Sequence, residues 1–233
     1  MTHAYIAAWR DALEAEADPA RAVPMKRYMR DQFEFLGLPT PKLDAIARTV
    51  LREYGLPGQA DVEAVVRELW RLPEREYQYV AVRLLTGLRK GAPLERLRLY
   101  EELVATKSWW DTVDLLASNL VGPLLARHPE RIVPTTDAWI ESGNMWLQRT
   151  AILFQLKYKT STDVPLLFRM ILACAGSKEF FLQKAIGWAL REYSKTDPET
   201  VRDFVTNHRF APLSRREALK VMRGAGREGA QAE

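Results

Sequence analysis

Along most of the chain, apolar residues return every third and fourth position. Val62, Val65, Val66 and Leu69 form one such set. Val80, Leu84, Leu85 and Leu88 form a second, and Leu94, Leu97, Tyr100 and Leu103 a third. That period puts apolar side chains on one face of an α-helix. The runs are separated by residues that stop or start helices: Gly55-Leu56-Pro57-Gly58, Leu72-Pro73, Gly91-Ala92-Pro93, Asp163 and Thr196-Asp197-Pro198. No stretch shows the period-two alternation and turn chemistry of a sheet. The pattern predicts an all-α protein of about a dozen helices with short connections.

A weak internal repeat lies over this pattern. Predicted helices open on Tyr77, Trp109, Trp146 and Phe181, at intervals of 32, 37 and 35 residues. Leu147-Gln148-Arg149-Thr150-Ala151-Ile152 lines up with Leu182-Gln183-Lys184-Ala185-Ile186. Each opener follows another predicted helix, over 61–71, 94–105, 130–141 and 163–175. Helix pairs at this period predict an α-solenoid of HEAT-like repeats, because one pair cannot bury its apolar face alone. One helix of each pair then lines a concave surface, and the aromatic-opened helices are the candidates for it. The expected domain covers residues 1–223. Residues 224–233 are rich in Gly, Ala and Glu and are expected to form a disordered tail.

Composition narrows the chemistry. The 233 residues are 47% hydrophobic, enough for a substantial core. Cys174 is the single cysteine, which excludes an internal disulfide and Cys-rich metal sites. His3, His128 and His208 have no ligand spacing, so neither a metal nor any other cofactor is expected. There is no Walker loop, GxGxxG run or GxSxG elbow. The first residues, through Asp18, carry Arg10, Asp11, Glu14 and Glu16 and lack a signal-peptide core, and no apolar run is long enough to span a membrane. A bacterial cytoplasmic location is expected, with no membrane partner. The net charge of +4 is unevenly placed: Asp61 to Val104 holds eight basic and eight acidic residues, whereas Gly143 to Lys195 holds eight basic and three acidic. That local excess suits a phosphate-binding face, and equally a solvated helical surface.

The segment from Ser108 concentrates unusual residues. Ser108 is read as the helix N-cap, with Asp111 three positions on as the returning acid. Trp110 and Asp114 are four apart and share a face. In the bland alternative, both tryptophans pack and Asp114 pairs with a neighbouring Arg. Lys184, Trp188 and Arg191 stand at i, i+4 and i+7 on a later helix, either a buried Trp with snorkelling cations or part of a ligand face. Arg149 is the repeat counterpart of Lys184, so a cation recurs at one structural level. Interleaved aromatic and basic side chains suit a nucleic-acid backbone. Cys174 lies in an apolar helix and reads as core.

These residues resemble the AlkD family of DNA alkylation repair glycosylases. The resemblance is carried by Lys107-Ser108-Trp109-Trp110-Asp111-Thr112-Val113-Asp114, by Trp146 to Ile152, and by Phe180 to Tyr193 with its Ile186-Gly187-Trp188 core. A weaker match runs from Tyr28-Met29 to Phe35-Leu36-Gly37-Leu38-Pro39-Thr40-Pro41. Relatives often carry Arg soon after the Thr-Pro pair; here Lys42, Leu43 and Asp44 follow.

The resemblance implies a HEAT-like solenoid that holds duplex DNA and hydrolytically excises N3- and N7-alkylated purines such as 3-methyladenine and 7-methylguanine, without flipping the base; a solenoid with capped ends can be a monomer, and a monomer is expected. It implies Asp114, Trp110 and Trp188 as catalytic residues. DNA contacts are expected from Arg149, through a phosphate, and from Tyr28, Lys184, Arg191, Thr40 and Lys42. A cationic purine is already a good leaving group, so one carboxylate that stabilises an oxocarbenium-like sugar and positions water can suffice. No Schiff-base lysine, and so no lyase activity, is expected. The alternatives are a non-catalytic HEAT-repeat protein that recognises unusual or damaged DNA, and a protein-binding scaffold.

Overall fold

The computed structural model describes residues 2–221; the expected tail, 224–233, lies outside the described residues. Among the described residues the fold is all-α, and the one β feature is an isolated bridge between Glu34 and Glu74. The expected domain 1–223 contains two compact units, residues 1–99 and residues 100 onward.

The first unit holds α1 (Thr2–Glu14), α2 (Pro19–Tyr28), α3 (Thr40–Tyr54), α4 (Val62–Arg71), α5 (Arg75–Leu88) and the start of α6 (Arg96–Ala105). Helix α1 packs on α3 and α4, and α4 packs on α5. The apolar stripe Val62, Val65, Val66 and Leu69 is fully buried, as the helical period requires. Buried polar groups organise the unit as well. The Glu76 carboxylate accepts from the backbone N–H groups of Leu36, Gly37 and Leu38 at 2.9–3.0 Å. Three such donors replace the water a buried carboxylate loses, and they tie the loop before α3 to α5.

The second unit holds the rest of α6, then α7 (Trp110–Leu116) and α8 (Gly122–Ala126), α9 (Ile132–Glu141), α10 (Met145–Leu153), α11 (Val164–Cys174), α12 (Phe180–Tyr193), α13 (Pro198–Asn207) and α14 (Pro212–Ala218). The four helices expected at 61–71, 94–105, 130–141 and 163–175 are α4, α6, α9 and α11. Within this unit the helices stack as repeats. Helix α10 packs against α7 and α12, while its pair partner α9 packs against α11. One row is therefore built from the helices that carry the aromatic openers, and the other from their partners.

Local chemistry fixes the helix starts. Asn144 Oδ1 accepts from the backbone N–H of Trp146 and Leu147 at the head of α10. Asp163 caps α11 through Leu166 N–H, and Asp197 caps α13 through Thr200 N–H, both at 3.0 Å. Three openers have a packing role. The rings of Trp109, Trp146 and Phe181 lie 4.9–5.9 Å apart and bind successive repeats together. Tyr77, the opener in the first unit, is buried with its hydroxyl 3.0 Å from Glu14.

Helices α7 and α8 run into one another through a π-helical turn, Ala117–Val121. Ser118 Oγ donates to the Asp114 carbonyl across it, at 2.8 Å. Gly122 then allows a close approach: a Cβ there would stand 2.3 Å from the Phe154 carbonyl oxygen at the end of α10.

Candidate active site

Trp110 is the first residue of α7, and one turn later comes Asp114. The N-cap is Trp109, in extended conformation, and not Ser108 as the spacing suggested. Ser108 Oγ instead donates to the Val104 carbonyl at 2.6 Å. The hydroxyl is spent closing α6 behind it, and so cannot reach the first turn of α7. Asp111 is the acid of that first turn, where a negative charge complements the helix dipole.

Trp110 and Asp114 line a recess of about 330 Å³ together with Arg149, Phe180, Phe181, Lys184, Trp188, Arg191 and Glu217. Five residues singled out in the second unit, besides Asp114 itself, are thus brought together: Trp110, Arg149, Lys184, Trp188 and Arg191. They come from α7, α10 and α12, the stacked row.

The centre of the recess is an ion pair. Arg149 Nε lies 2.7 Å from Asp114 Oδ1, and Arg149 Nη2 lies 2.8 Å from Oδ2. The third nitrogen, Nη1, donates to the Phe181 carbonyl. The side chains are 5% and 13% exposed, respectively. This is bidentate geometry in a poorly solvated place, where a guanidinium fixes both position and charge of a carboxylate. The bland alternative for Asp114, pairing with a neighbouring Arg, therefore describes the geometry correctly, and it does so inside the recess. Expected at a phosphate, Arg149 is instead buried with all three nitrogens facing protein acceptors. Burial pushes the Asp114 carboxyl above the usual carboxylate range; Arg149 opposes the shift and Asp111 adds to it.

Lys184 and Arg191, expected at DNA phosphates, face a carboxylate that the sequence pattern did not single out. Glu217, from α14, accepts from Lys184 Nζ at 3.2 Å and from Arg191 Nη1 at 2.9 Å. Burial pushes the Glu217 carboxyl up, but Lys184, Arg191 and Lys220 outweigh it and hold it below the usual range. The available signal was Gly187: a glycine inside a helix marks the close approach of another element. A Cβ on Gly187 would lie 2.5 Å from the Glu217 Cβ and 2.9 Å from the Ser214 carbonyl oxygen. Ser214 Oγ completes the docking by donating to the Gln183 carbonyl at 2.9 Å.

The remaining expected contacts lie in the first unit. Tyr28 is 71% exposed and lines a separate recess with Pro24, Met25, Met29, Phe35 and Tyr79. Thr40 is the exposed first residue of α3, followed by Pro41. Lys42 Nζ pairs with Glu16, at 2.8 Å from its carboxylate and 2.9 Å from its carbonyl.

Comparison with known proteins fixes the relationship. The family model described as DNA alkylation repair enzyme matches residues 9–222. The chain belongs to the DNA alkylation repair enzyme family. A structure from Enterococcus faecalis, described as a predicted DNA alkylation repair enzyme, is 33% identical with a TM-score of 0.81, over 88% of this chain and 95% of that one. AlkD2 from Streptococcus mutans is 18% identical with a TM-score of 0.58, over 76% of this chain and 87% of its own. The structure of smu.31 from Streptococcus mutans UA159 is likewise 18% identical at 0.58, over 76% and 90%. The last two share the fold. No curated protein matches. For this DNA alkylation repair family member, DNA is the implied partner, and the fold is the helical-repeat type that the periodicity predicted. No helix among the described residues is long and apolar enough to cross a membrane.

Proposed function

We propose that this protein is a monofunctional DNA glycosylase that hydrolyses the N-glycosidic bond of cationic N3- and N7-alkylated purines in duplex DNA. One observation carries the reading: the carboxylate of Asp114, held in two-point contact by Arg149, lies in a recess shared with the indoles of Trp110 and Trp188. An alkylated purine with a formal positive charge leaves without protonation, so the protein has no need of an acid at the base. The charge that must be stabilised develops on the sugar. Asp114 stabilises that cation and orients the attacking water, while Trp110 and Trp188 offer their ring faces to it. Arg149 is a positioning residue here: it fixes the carboxylate plane and favours the ionised form against the push of burial.

The base stays in the stack in this mechanism, since the recess handles the sugar. With 2-aminopurine placed beside 7-methylguanine, fluorescence should stay quenched on binding; a large rise would replace the in-stack mechanism with flipping. The direct test is release of free 7-methylguanine from methylated duplex DNA under single-turnover conditions. Asp114→Asn should slow release about 10²–10³-fold, because it removes the charge and keeps the shape. Unchanged release would remove Asp114 from the mechanism. Duplex binding with no release by the wild type would favour a non-catalytic binder of damaged DNA.

A further inference from the structure

Lys184 and Arg191 flank Trp188 along α12, and both are tied to Glu217. The recess holds three cations, Arg149, Lys184 and Arg191, and two carboxylates, Asp114 and Glu217. The Asp114–Arg149 pair is neutral. Glu217 cancels one of the two other cations, leaving a single net positive charge in the recess. The Glu217 side chain is 15% exposed, and its partners Lys184 and Arg191 are 38% and 25% exposed. Its position is built in: Gly187 lets α14 approach α12, and Ser214 holds it at the Gln183 carbonyl.

We propose that Glu217 is a specificity-determining counter-anion, a built-in phosphate mimic that occupies Lys184 and Arg191 and keeps the wall around Trp188 receptive to a positively charged sugar and base. The proposal rests on the glycosylase reading for its catalytic half; its DNA-binding half stands without it. Two uncompensated cations beside Trp188 would bind duplex more tightly through its phosphates, and would repel the cation that forms when the glycosidic bond breaks. Glu217 therefore trades affinity for undamaged DNA against the rate on a cationic lesion.

The variant to make is Glu217→Gln, which keeps the shape and removes the charge. The first measurement is affinity for an undamaged duplex as a function of salt. We expect binding about fivefold tighter at moderate salt, and a log–log salt slope steeper by about 0.9 for each phosphate newly engaged. Adding Lys184→Gln to the variant should remove part of that increase. The second measurement is single-turnover release of 7-methylguanine, expected to fall about fivefold while binding improves. A brace that merely held α14 in place would weaken binding and release together. Unchanged affinity and salt slope, or weaker binding, would overturn the proposal. Tighter, steeper binding with release undiminished would overturn its catalytic half. If the wild type releases no base, the glycosylase reading fails, and the salt titration still decides whether Glu217 shields the two cations. Should Glu217→Gln fail to fold by circular dichroism, Lys184→Gln in the otherwise native chain decides the matter. A lysine already occupied by Glu217 leaves the salt slope unchanged when it is removed. A slope shallower by about 0.9 would mean that Lys184 engages a phosphate despite Glu217, and the proposal would fall.

Discussion

The two carboxylates of the recess are held in different ways. Among the described residues, Asp114 is paired with deeply buried Arg149 in a two-point contact that uses both of its oxygens. Glu217 is paired with Lys184 and Arg191, each through one nitrogen, and Lys184 is 38% exposed. Their carboxyl groups shift in opposite directions: burial wins at Asp114 and the neighbouring cations win at Glu217. A carboxylate meant to act on a reacting atom needs one fixed orientation, and a buried guanidinium supplies it. A carboxylate that balances charge needs proximity to its cations and tolerates looser geometry.

The largest expected contrast is in stability. Arg149→Ala leaves Asp114 buried and uncompensated, which should cost about 3–5 kcal/mol. Glu217→Gln leaves two cations that water can reach, and should cost less than about 1 kcal/mol. Denaturant midpoints measure both, and equal losses would erase the distinction. A Gly187→Ala substitution tests how Glu217 is delivered. The added methyl group must displace α14, at about 1–3 kcal/mol, and should loosen the grip on Lys184 and Arg191, so that duplex binding becomes more salt-dependent. An unchanged midpoint and salt slope would mean that α14 adjusts freely.

The smallest effect is a displacement along the pH axis. In the proposed mechanism Asp114 acts as the carboxylate, and its carboxyl lies above the ordinary range. Release should therefore fall on acidification, starting at a higher pH than an ordinary aspartate would give. Arg149→Lys keeps a cation and loses the two-point contact, so burial should push the group further up and move the acid limb to higher pH. A limb that moved to lower pH would contradict the opposed roles of burial and Arg149.

Much of this was legible in the chain. The period of the apolar residues marked α4, α6, α9 and α11 nearly to their ends, because each buries a single stripe. Trp110, Asp114 and Trp188 could be placed on common faces by helical spacing and by the family motif. What stayed hidden depends on tertiary contact. Arg149 was visible as a recurring cation, but its partner lies 35 residues away, and local spacing says nothing about such a pair. Glu217 sits in the short α14 among Arg215 and Arg216, where it looks like one charge on a solvated helix. Ser108 obeyed the capping pattern and was claimed instead by the turn behind it. Trp109, Trp146 and Phe181 were correctly read as recurrent, and their rings pack against one another.

The π-helical turn after Asp114 adds one residue to the helical register. In a regular helix, each residue advances the phase by about 100°. Without that turn, the direction of Trp110 and Asp114 would be locked to the direction of Gly122, which must meet the Phe154 carbonyl. The extra residue works as a fixed offset between two halves of one rod. The lower half seats Gly122 against the Phe154 carbonyl, and the upper half presents Trp110 and Asp114 to the recess at an angle that an unbroken α-helix would not give.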